Sequence, residues 1–374
     1  MSNPHTLDWF EISNVHEVDS PALVIFPDRV QKNIEILKSI LPEIHRLRPH
    51  VKTHKSLEVT RLLMQSGFTQ FKCATIAEAE MLAEAHAQDV LLAYPLVGPK
   101  AERFAHLVNK FPATLFSCLV DNIETADQLN FIFKKINHRL RVYIDLNIGM
   151  DRTGIKPGPK AEALYKNCQS LEGIVSVGLH AYDGHLRDED LDQRTKKCNQ
   201  GFAPVIAMQE NLVREGLNEP IIVVGGTTTF PIHAKRRNVV CSPGTFIYWD
   251  KGYQDTFAEQ PFEFAALVVT RIISKPTENL ICIDLGHKAI ASENPLDKRV
   301  FFLNASNVEP IGHSEEHMVL KVNATNEYQV GDVLYGVPFH ICPTVALHET
   351  AVVINDHRAK GEWNMIARKR KINF

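Results

Sequence analysis

The chain contains no long hydrophobic run and no excess of charge of one sign. No apolar run in its 374 residues approaches the roughly 18–20 residues that a membrane-spanning helix needs. The 41 Lys and Arg residues nearly balance the 44 Asp and Glu residues, which leaves a formal charge of −3. Such a balance provides no electrostatic surface for nucleic acid or for an anionic membrane. We therefore expect neither nucleic acid nor a membrane as a partner.

The cysteines are scattered, and the N-terminus lacks the features of a secretory signal. The seven cysteines form no CxxC pair, and an odd number cannot all pair within the chain. Residues 1–10 lack the charged-then-apolar order of a signal peptide. Reduced thiols in the cytoplasm fit this usage best. Histidine is abundant by comparison, with 17 residues against 8 tyrosines and 3 tryptophans.

Short apolar runs alternate with amphipathic segments over the first two-thirds of the chain. After an initial PALVIF at 21–26, strand-like runs follow at 46–52, 70–75, 89–95, 114–120, 140–147, 174–182, 221–226 and 239–246. Runs as apolar as these are expected for strands covered on both faces, as in a parallel sheet. Thr75 with Glu78, and Asp121 with Glu124, have the layout of helix capping boxes. The repeated strand–helix units predict a (β/α)8 barrel, with an open doubly wound sheet as the alternative.

The pattern changes at about Lys251, where strands separated by turns replace the strand–helix units. We therefore predict a barrel domain over 15–250 and a mostly β domain over 251–374. Residues 1–14 could pack with the second domain. The predicted class is thus α/β, with a barrel followed by a mostly β domain.

Polar clusters stand where functional residues of a barrel are expected, at the carboxyl ends of the strands. The clusters are RPHVKTHK (48–55), DLNIGMDRTG (145–154), GLHAYDGH (178–185), GGTTT (225–229) and SPGT (242–245). Burial and neighbouring cations can make a lysine at such a mouth nucleophilic. Lys55, His50 and His54 are such neighbours for Lys52. A solvated basic turn is the plainer interpretation.

The other barrel clusters suggest anion binding and proton transfer. Two glycines flank Arg152, so its guanidinium is well placed to grip an oxyanion. His180, Tyr182 and Asp183 emerge from one strand end, and this grouping favours a site over a satisfied core histidine. The last two clusters combine Gly-rich turns with hydroxyl groups, which is the usual phosphate cradle of barrels.

One further motif, His340-Ile341-Cys342, lies outside the predicted barrel. On a strand, positions i and i+2 face the same way, so the imidazole and the thiolate would converge. Such a pair suits zinc and leaves open positions for water or substrate. A buried free cysteine is the alternative interpretation.

Taken together, these clusters resemble the fold-type III pyridoxal-phosphate enzymes, and within them the D-threonine aldolase and D-serine dehydratase-like family. The resemblance covers essentially the whole chain, because the five barrel clusters and HICPT (340–344) occur in the family's order. It implies an alanine-racemase-like barrel followed by a β domain. It also implies a homodimer that binds pyridoxal 5'-phosphate and a divalent metal.

The resemblance further implies roles for individual residues in cofactor binding. Lys52 would be the Schiff-base lysine, and Arg152 would contact the phenolic oxygen of the cofactor. The remaining cofactor-binding residues would be Thr227, Gly244 and Thr245 at the phosphate, with His180 and Tyr182.

The resemblance also implies a metal centre and acid–base groups. His340 and Cys342 would ligate the metal, which is zinc or, alternatively, manganese or magnesium. His180 and His185 are the candidate bases or substrate-orienting groups.

The implied activity is that of a lyase acting on D-β-hydroxy-α-amino acids. Retro-aldol cleavage would give glycine and an aldehyde, whereas a D-serine or 3-hydroxy-D-aspartate dehydratase would release ammonia and an oxo acid. Alanine racemases carry arginine where this chain has Ser242, which argues against an amino-acid racemase. D-serine dehydratases usually show tyrosines where this chain has His180 and Arg187, which favours the aldolase. A non-catalytic pyridoxal-phosphate carrier would lack the second domain and the metal pair.

Overall fold

The structure, a computed structural model, describes residues 7–323 and 327–374. The chain forms two compact units, each built from more than one stretch of sequence. The β-rich unit comprises the described residues through Ile36, Thr53–Glu58 and Thr245–Arg368. The barrel unit comprises Leu37–Lys52, Val59–Gly244 and Lys369–Phe374. Of residues 1–14, for which packing with the β domain is predicted, residues 1–6 lie outside the described residues.

Strands and helices alternate along the barrel unit, and strands predominate in the β-rich unit. The strands are β1 (Ala22–Ile25), β2 (Gln70–Cys73), β3 (Asp89–Pro95), β4 (Leu115–Val120), β5 (Leu140–Leu146), β6 (Ile174–Ala181), β7 (Ile221–Val224), β8 (Val240–Cys241), β9 (Ala266–Thr277), β10 (Leu280–Ile283), β11 (Val300–Phe302), β12 (Glu309–His313), β13 (Met318–Lys321), β14 (Val333–Pro338), β15 (Thr350–Asn355) and β16 (Arg358–Asn364). The α-helices are α1 (Pro27–Ile40), α2 (Leu57–Gln65), α3 (Ile76–Glu84), α4 (Pro99–Lys110), α5 (Ile123–Lys135), α6 (Pro159–Ser170), α7 (Leu191–Arg214), α8 (Phe230–His233), α9 (Lys251–Thr256) and α10 (Ile341–Leu347). Within the described ranges, no helix combines the length and the apolar character that a membrane crossing requires.

The barrel unit contains one parallel sheet whose spatial order follows the chain, β2-β3-β4-β5-β6-β7-β8. An open doubly wound sheet would reverse its order at a switch point, and this sheet does not. Adjacent strands pair in parallel register, for example Phe71 with Val90 and Val142 with Ser176. The intervening helices bury their apolar faces, as α4 does with Phe104. The predicted barrel architecture is confirmed.

The first predicted barrel strand is not a regular strand, but its residues occupy the eighth position of the sheet. Isolated parallel bridges join Leu47 to Cys241 of β8 and His50 to Lys72 of β2. This segment therefore lies between the two edge strands and completes the ring. Pro49 has no N–H group to donate, which prevents a continuous ladder here.

The two predicted capping boxes have different outcomes. Thr75 caps α3, because its hydroxyl accepts the backbone N–H of Glu78 at 3.1 Å. The cap of α5 is Asn122, whose side chain accepts the N–H of Thr125, so the prediction of Asp121 as the cap was wrong by one residue. Both side chains suit such a cap, and only the backbone conformation decides which of them lies at the first turn.

The β-rich unit is built on a sheet with the order β12-β13-β10-β9-β1-β15-β16, and β14 pairs with β9 and β11. Strand β1, from the predicted PALVIF run, is antiparallel to β9 and parallel to β15. Its side chains join a buried cluster that includes Phe10, Val24, Val269 and Tyr335. The predicted mostly β domain is confirmed, and the N-terminal strand forms part of its sheet.

Candidate active site

Lys52 lies directly after the segment that completes the barrel. It belongs to a short 3-10 helix, Val51–Thr53, and its side chain is half-buried. The backbone N–H of Lys52 donates to Nδ1 of His50 at 3.2 Å, which holds the turn between them. The Nζ atom of Lys52 lies 6.0 Å from the centre of the Tyr182 ring.

Three cationic side chains of the barrel unit gather at the Tyr182 ring. The Arg152 guanidinium carbon lies 5.1 Å from the ring centre, and the Nζ atom of Lys72 lies 5.7 Å from it, beside Lys52 at 6.0 Å. The structure thus brings together residues from the first three predicted clusters. Lys72 is the residue that sequence reasoning missed, and the signal for it was a single lysine within the apolar strand QFKC.

The loop that carries Arg152 is folded tightly by glycine. Gly154 has a φ of +99°, and a Cβ atom at this position would lie 2.7 Å from the backbone N of Asn147. Its own N–H donates to the Asp121 carboxylate at 2.9 Å, which explains the acidic residue before α5. Asn147 N–H donates to the Ile155 carbonyl at 3.0 Å and closes the loop. The exposed Arg152 is presented by this turn.

His180 and Asp145 form a buried hydrogen-bonded pair at the ends of β6 and β5. His180 Nδ1 lies 2.7 Å from an Asp145 oxygen, and the other Asp145 oxygen accepts the Thr153 hydroxyl at 2.8 Å. Burial lowers the pKa of His180, and the positive charges of Lys72 and Arg152 act in the same direction against the bond to Asp145. The imidazole is therefore neutral near pH 7, with its proton directed to Asp145. Its buried Nε2 has no hydrogen-bond partner among the described residues and remains an acceptor.

His185, the other predicted base, lies in a different environment. Its side chain is exposed and lies against the loop of Arg152, since a Cβ atom at Gly149 would be 2.9 Å from its Nε2. Gly149 has a φ of +119°, so this close approach also depends on glycine. The structure therefore places one candidate histidine inside the barrel mouth and the other at its surface.

The two Gly-rich turns after β7 and β8 are adjacent. The Thr227 hydroxyl accepts the backbone N–H of Gly244 at 3.0 Å, which ties one turn to the other. The hydroxyls of Thr228 and Ser242 are buried and have no partner among the described residues. Thr245, which follows Gly244, is also buried. Buried hydroxyls that lack partners fit the oxygens of a phosphate group, because each can donate to one of them.

A buried hydrogen-bond network around Asp183 packs against the first of these turns, residues 225–229. Asp183 accepts the Thr229 hydroxyl at 2.5 Å, and its second oxygen lies 2.8 Å from His233 Nε2 and 3.5 Å from Cys198 Sγ. A Cβ atom at Gly225 would lie 2.9 Å from both His233 and Thr229. Burial raises the pKa of Asp183, but the bonds from His233 and Thr229 outweigh it and lower the pKa.

Three residues of this network, Asp183, Cys198 and His233, bring atoms that could ligate a metal within 4.8 Å of one another. Their bonding fits a hydrogen-bonded network better than a metal centre. Arg236 Nε donates to His233 Nδ1 at 3.1 Å, and His233 Nε2 is bonded to Asp183, so both ring nitrogens already have partners. The positive charge of the Arg236 guanidinium would also repel a metal cation at this position. Burial and Asp183 raise the pKa of the Cys198 thiol to about 12, whereas metal ligation requires the thiolate.

The predicted metal pair of the β-rich unit lies at the start of a helix rather than along a strand. His340 is the N-cap of α10 and Cys342 lies in its first turn, so the predicted strand geometry was wrong. The two side chains nevertheless form a hydrogen bond with each other. Burial lowers the pKa of His340, but its bonds to Cys342 and Glu293 raise it to about 9.

Neighbouring groups of the β-rich unit orient this pair. His340 Nδ1 lies 2.5 Å from the Glu293 carboxylate, and Cys342 Sγ lies 3.2 Å from the Thr53 hydroxyl. The Asp250 carboxylate accepts the backbone N–H of Ile341 at 3.1 Å. A histidine whose one nitrogen is bonded to a carboxylate has the arrangement that metal-ligating histidines commonly show. The nitrogen and sulfur donors are those that zinc prefers.

Two families match this chain in sequence. The family of the alanine racemase N-terminal domain matches residues 25–251, which is well over half of the 374 residues. This chain belongs to that family. A second family, named for a serine dehydratase domain, matches residues 265–354.

This alanine racemase N-terminal family member is similar to aldolases over nearly its whole length. It is 26% identical over 359 residues to D-threonine aldolase from Arthrobacter sp., covering 94% of this chain and 93% of that protein. It is also 26% identical over 367 residues to 3-hydroxy-D-aspartate aldolase from Paracoccus denitrificans strain Pd 1222, covering 94% and 92%. The resemblance predicted from the motifs is confirmed.

Solved structures share the fold of this chain. D-threonine aldolase from Filomicrobium marinum is 24% identical, with a TM-score of 0.87, and the match covers 96% of this chain and 98% of that chain. A cysteine-to-alanine variant of D-threo-3-hydroxyaspartate dehydratase from Delftia sp. HT23, described as metal-free, is 21% identical with a TM-score of 0.80. That match covers 93% of this chain and 98% of the dehydratase.

One expected cationic neighbour of Lys52 carries no charge in this family member. His54 is buried, and its Nδ1 accepts the backbone N–H of Ser56 at 3.3 Å. Burial, reinforced by the charge of Lys55, lowers the pKa of His54 from 6.5 to about 3. The prediction of His54 as a neighbouring cation was therefore wrong, because burial disfavours the imidazolium.

We expect this neutral histidine to make the protein less stable in mild acid. The pKa of His54 is lower in the folded state, so the unfolded chain binds more protons between pH 6.5 and about pH 3. The free energy of unfolding therefore decreases as the pH is lowered through this range. The free energy of unfolding should fall by about 1.5 kcal/mol between pH 6.5 and pH 5 from this group. Urea unfolding of wild type and His54→Gln at both pH values measures the difference. His16→Gln, at an exposed histidine, is the control. An equal change in the free energy of unfolding between the two pH values in all three proteins would contradict the prediction.

Proposed function

We propose that this protein is a pyridoxal-phosphate- and divalent-metal-dependent lyase that cleaves D-β-hydroxy-α-amino acids to glycine and an aldehyde. The observation that carries the proposal is the grouping of Lys52 and Arg152 at the Tyr182 ring. Beside it, a Cβ atom at Gly226 of the first hydroxyl-bearing turn would lie 3.0 Å from the same ring. Similarity to aldolases over more than nine-tenths of the chain supports this class of reaction.

The proposed cofactor residues fit pyridoxal 5'-phosphate by their chemistry. Lys52 would supply the amine that attaches the cofactor, and Arg152 would face its phenolic oxygen. The other proposed contacts are Thr227, Gly244 and Thr245 at the phosphate, with His180 and Tyr182 at the ring. When bound, this cofactor withdraws electrons from the bonds of the substrate's α-carbon, and the protein selects the bond that breaks.

We infer that the Asp183 network keeps the phosphate-binding turn in its binding conformation. Asp183→Asn retains the shape of the side chain but removes the charge that Thr229 and His233 bind. Charge-assisted hydrogen bonds exceed neutral ones by about 1 kcal/mol, so cofactor affinity should fall roughly 5- to 10-fold. Equilibrium dialysis against pyridoxal 5'-phosphate measures this. Asp192→Asn, at an exposed site on α7, is the matched control, and unchanged affinity in Asp183→Asn would contradict the role.

We propose that His180 acts in the site through its unprotonated Nε2 atom, as a base or as a group that orients the substrate. Asp145 accepts its Nδ1 proton, so Nε2 stays available as a hydrogen-bond acceptor inside the barrel. A group in this state can orient a donor or accept a proton from it. His185, exposed at the loop of Arg152, is the proposed second base or substrate-orienting group.

We propose that His340 and Cys342 ligate a divalent metal, which is zinc or, alternatively, manganese or magnesium. Their mutual contact and the Glu293 bond support this assignment. The related dehydratase variant in which a cysteine is replaced, described as metal-free, is consistent with a cysteine ligand. A bound divalent metal supplies a Lewis acid that lowers the pKa of an oxygen ligand. Such a metal would supply this chemistry for the β-hydroxyl group of the proposed substrate, and His340 and Cys342 would hold it.

We further propose a homodimer located in the cytoplasm. The seven cysteines are all free thiols in the structure, which supports a reducing compartment. We propose a division of the sequence into a barrel region over 15–250 and a mostly β region over 251–374, although the compact units place the described residues through Ile36 and Thr53–Glu58 in the β-rich unit. Light scattering of the purified protein tests the dimer.

The decisive experiment compares three substrates. Purified protein is incubated with D-threonine, D-serine and D-threo-3-hydroxyaspartate, with and without a chelator, and the products are identified by mass spectrometry. We expect glycine and an aldehyde, or glycine and glyoxylate from the hydroxyaspartate, and loss of turnover with chelator. L-threonine is the stereochemical control.

The same experiment separates the second candidate function. The match to a family named for serine dehydratase favours a dehydratase of D-serine or 3-hydroxy-D-aspartate. Ammonia with an oxo acid would replace the aldolase by this dehydratase. No product from any of the D-amino acids would overturn both.

A further inference from the structure

Lys72 is a buried lysine whose ammonium group has neither a hydrogen bond nor an ion pair with any described residue. Its side chain is only 2% exposed, although its Nζ lies 5.7 Å from the Tyr182 ring and close to Lys52. Its backbone is fixed by the parallel bridge to His50, and its N–H donates to the Pro49 carbonyl at 2.9 Å. Among the described residues, no side chain forms a hydrogen bond or an ion pair with its Nζ.

The surrounding charges do not supply a counter-ion. Burial, with the charges of Lys52 and Arg48, lowers the pKa of Lys72 to about 7, against the opposing charges of Asp145 and Asp183. Both of these carboxylates are already bonded to other side chains, as described above. The charged and titratable groups facing Lys72 are Arg48, Lys52, Asp145, Arg152, His180, Tyr182 and Asp183.

A purely structural role does not explain this residue. A cationic side chain that is buried without an ion pair is destabilising, and an aliphatic side chain would fill the same space without that cost. The site holds three cationic side chains around one ring, and the Asp145 carboxylate is already shared with His180. An excess of buried positive charge is satisfied by an anion, and both the proposed cofactor and an amino-acid substrate carry anionic oxygens.

We propose that Lys72 is a further ligand-binding residue, which binds an anionic oxygen of the ligand and takes up a proton as it does so. The inference rests on the proposed function. Two sources offer this oxygen, namely the phenolic oxygen of pyridoxal 5'-phosphate and the carboxylate of the amino acid. In the empty site the amine is partly neutral near pH 7, and the arriving negative charge stabilises the ammonium form.

Calorimetry in two buffers of different ionisation enthalpy tests the proposal, because it counts protons taken up on binding. In one arm cofactor-free protein is titrated with pyridoxal 5'-phosphate, and in the other loaded protein is titrated with glycine. In the arm that supplies the oxygen, wild type should take up roughly one proton more than Lys72→Met at pH 8, and almost none more at pH 6. A difference in proton uptake in the first arm identifies the phenolic oxygen of the cofactor as the bound oxygen, and a difference in the second arm identifies the carboxylate of the amino acid.

A conservative variant keeps the test decisive if Lys72→Met fails to fold. Lys72→Arg carries a permanent charge, so it should bind the ligand without the additional proton uptake of wild type. Equal proton uptake by wild type and Lys72→Arg in both arms would overturn the role of Lys72 and leave the proposed function intact. Absence of pyridoxal 5'-phosphate binding by wild type would overturn both.

Discussion

Lys52→Ala should purify as a colourless protein, whereas the wild type should be yellow from bound pyridoxal 5'-phosphate. Lys52 is the half-buried lysine that follows the segment completing the barrel, and its amine faces the Tyr182 ring. Removing the only proposed attachment point should reduce turnover about 10⁴-fold or more, since loss of a covalent catalytic group has effects of this size. Absorbance spectra and single-turnover kinetics measure the two losses.

The neighbouring Lys55 provides the matched control. Lys55→Asn removes a charge from the same motif, and asparagine suits the φ of +53° at this position. This variant should stay yellow. Borohydride reduction followed by peptide mass spectrometry should place the cofactor label on Lys52 in both wild type and Lys55→Asn. A label on Lys72 or Lys55 in the wild type would contradict the assignment.

His340→Ala and Cys342→Ala should each purify without the divalent metal and lose most of the activity. The two side chains contact each other at the start of α10, and each would supply one ligand. A Lewis acid contributes several kcal/mol to such reactions, so turnover should fall about 10³-fold. Elemental analysis and product assays at saturating cofactor measure metal content and rate separately.

Two further variants show where the metal lies if the prediction fails. Cys282→Ala, at a partly buried free cysteine of β10, is the matched control and should retain the metal. If the metal stays in Cys342→Ala but is lost in Cys198→Ala, the site is the Asp183 network instead. Activity that resists both chelation and these substitutions would remove the metal from the mechanism.

Much of the fold follows from local pattern in the sequence. Apolar runs such as that of β5 predict covered parallel strands, because both of their faces exclude water. The Thr75 cap and the glycine-rich turns are also local, since each depends on the backbone of a few neighbouring residues. The Gly154 turn is an example, because a positive φ and a close backbone contact both require glycine.

Other features could not be read from short segments. The pattern of His340 and Cys342 fits a strand, yet Asp250, some ninety residues earlier, accepts the N–H of Ile341 at the start of a helix. Pro343 was a local signal for that helix, because proline is tolerated in a first turn. His54 likewise has a basic context in sequence, and only its burial shows that it is neutral.

The sequence by itself determined the class of this protein, because the order of strands, helices and motif residues is written along the chain. Only the tertiary structure decided which groups meet and in what charge state. In the sequence, Lys72 is a single lysine within an apolar strand. Parallel pairing sets β2 beside the Lys52 segment and places the Lys72 side chain at the Tyr182 ring. The Asp145–His180 pair arises in the same way from adjacent strand ends. Burial and pairing distant in sequence set these protonation states, and neither is encoded in the spacing of a motif.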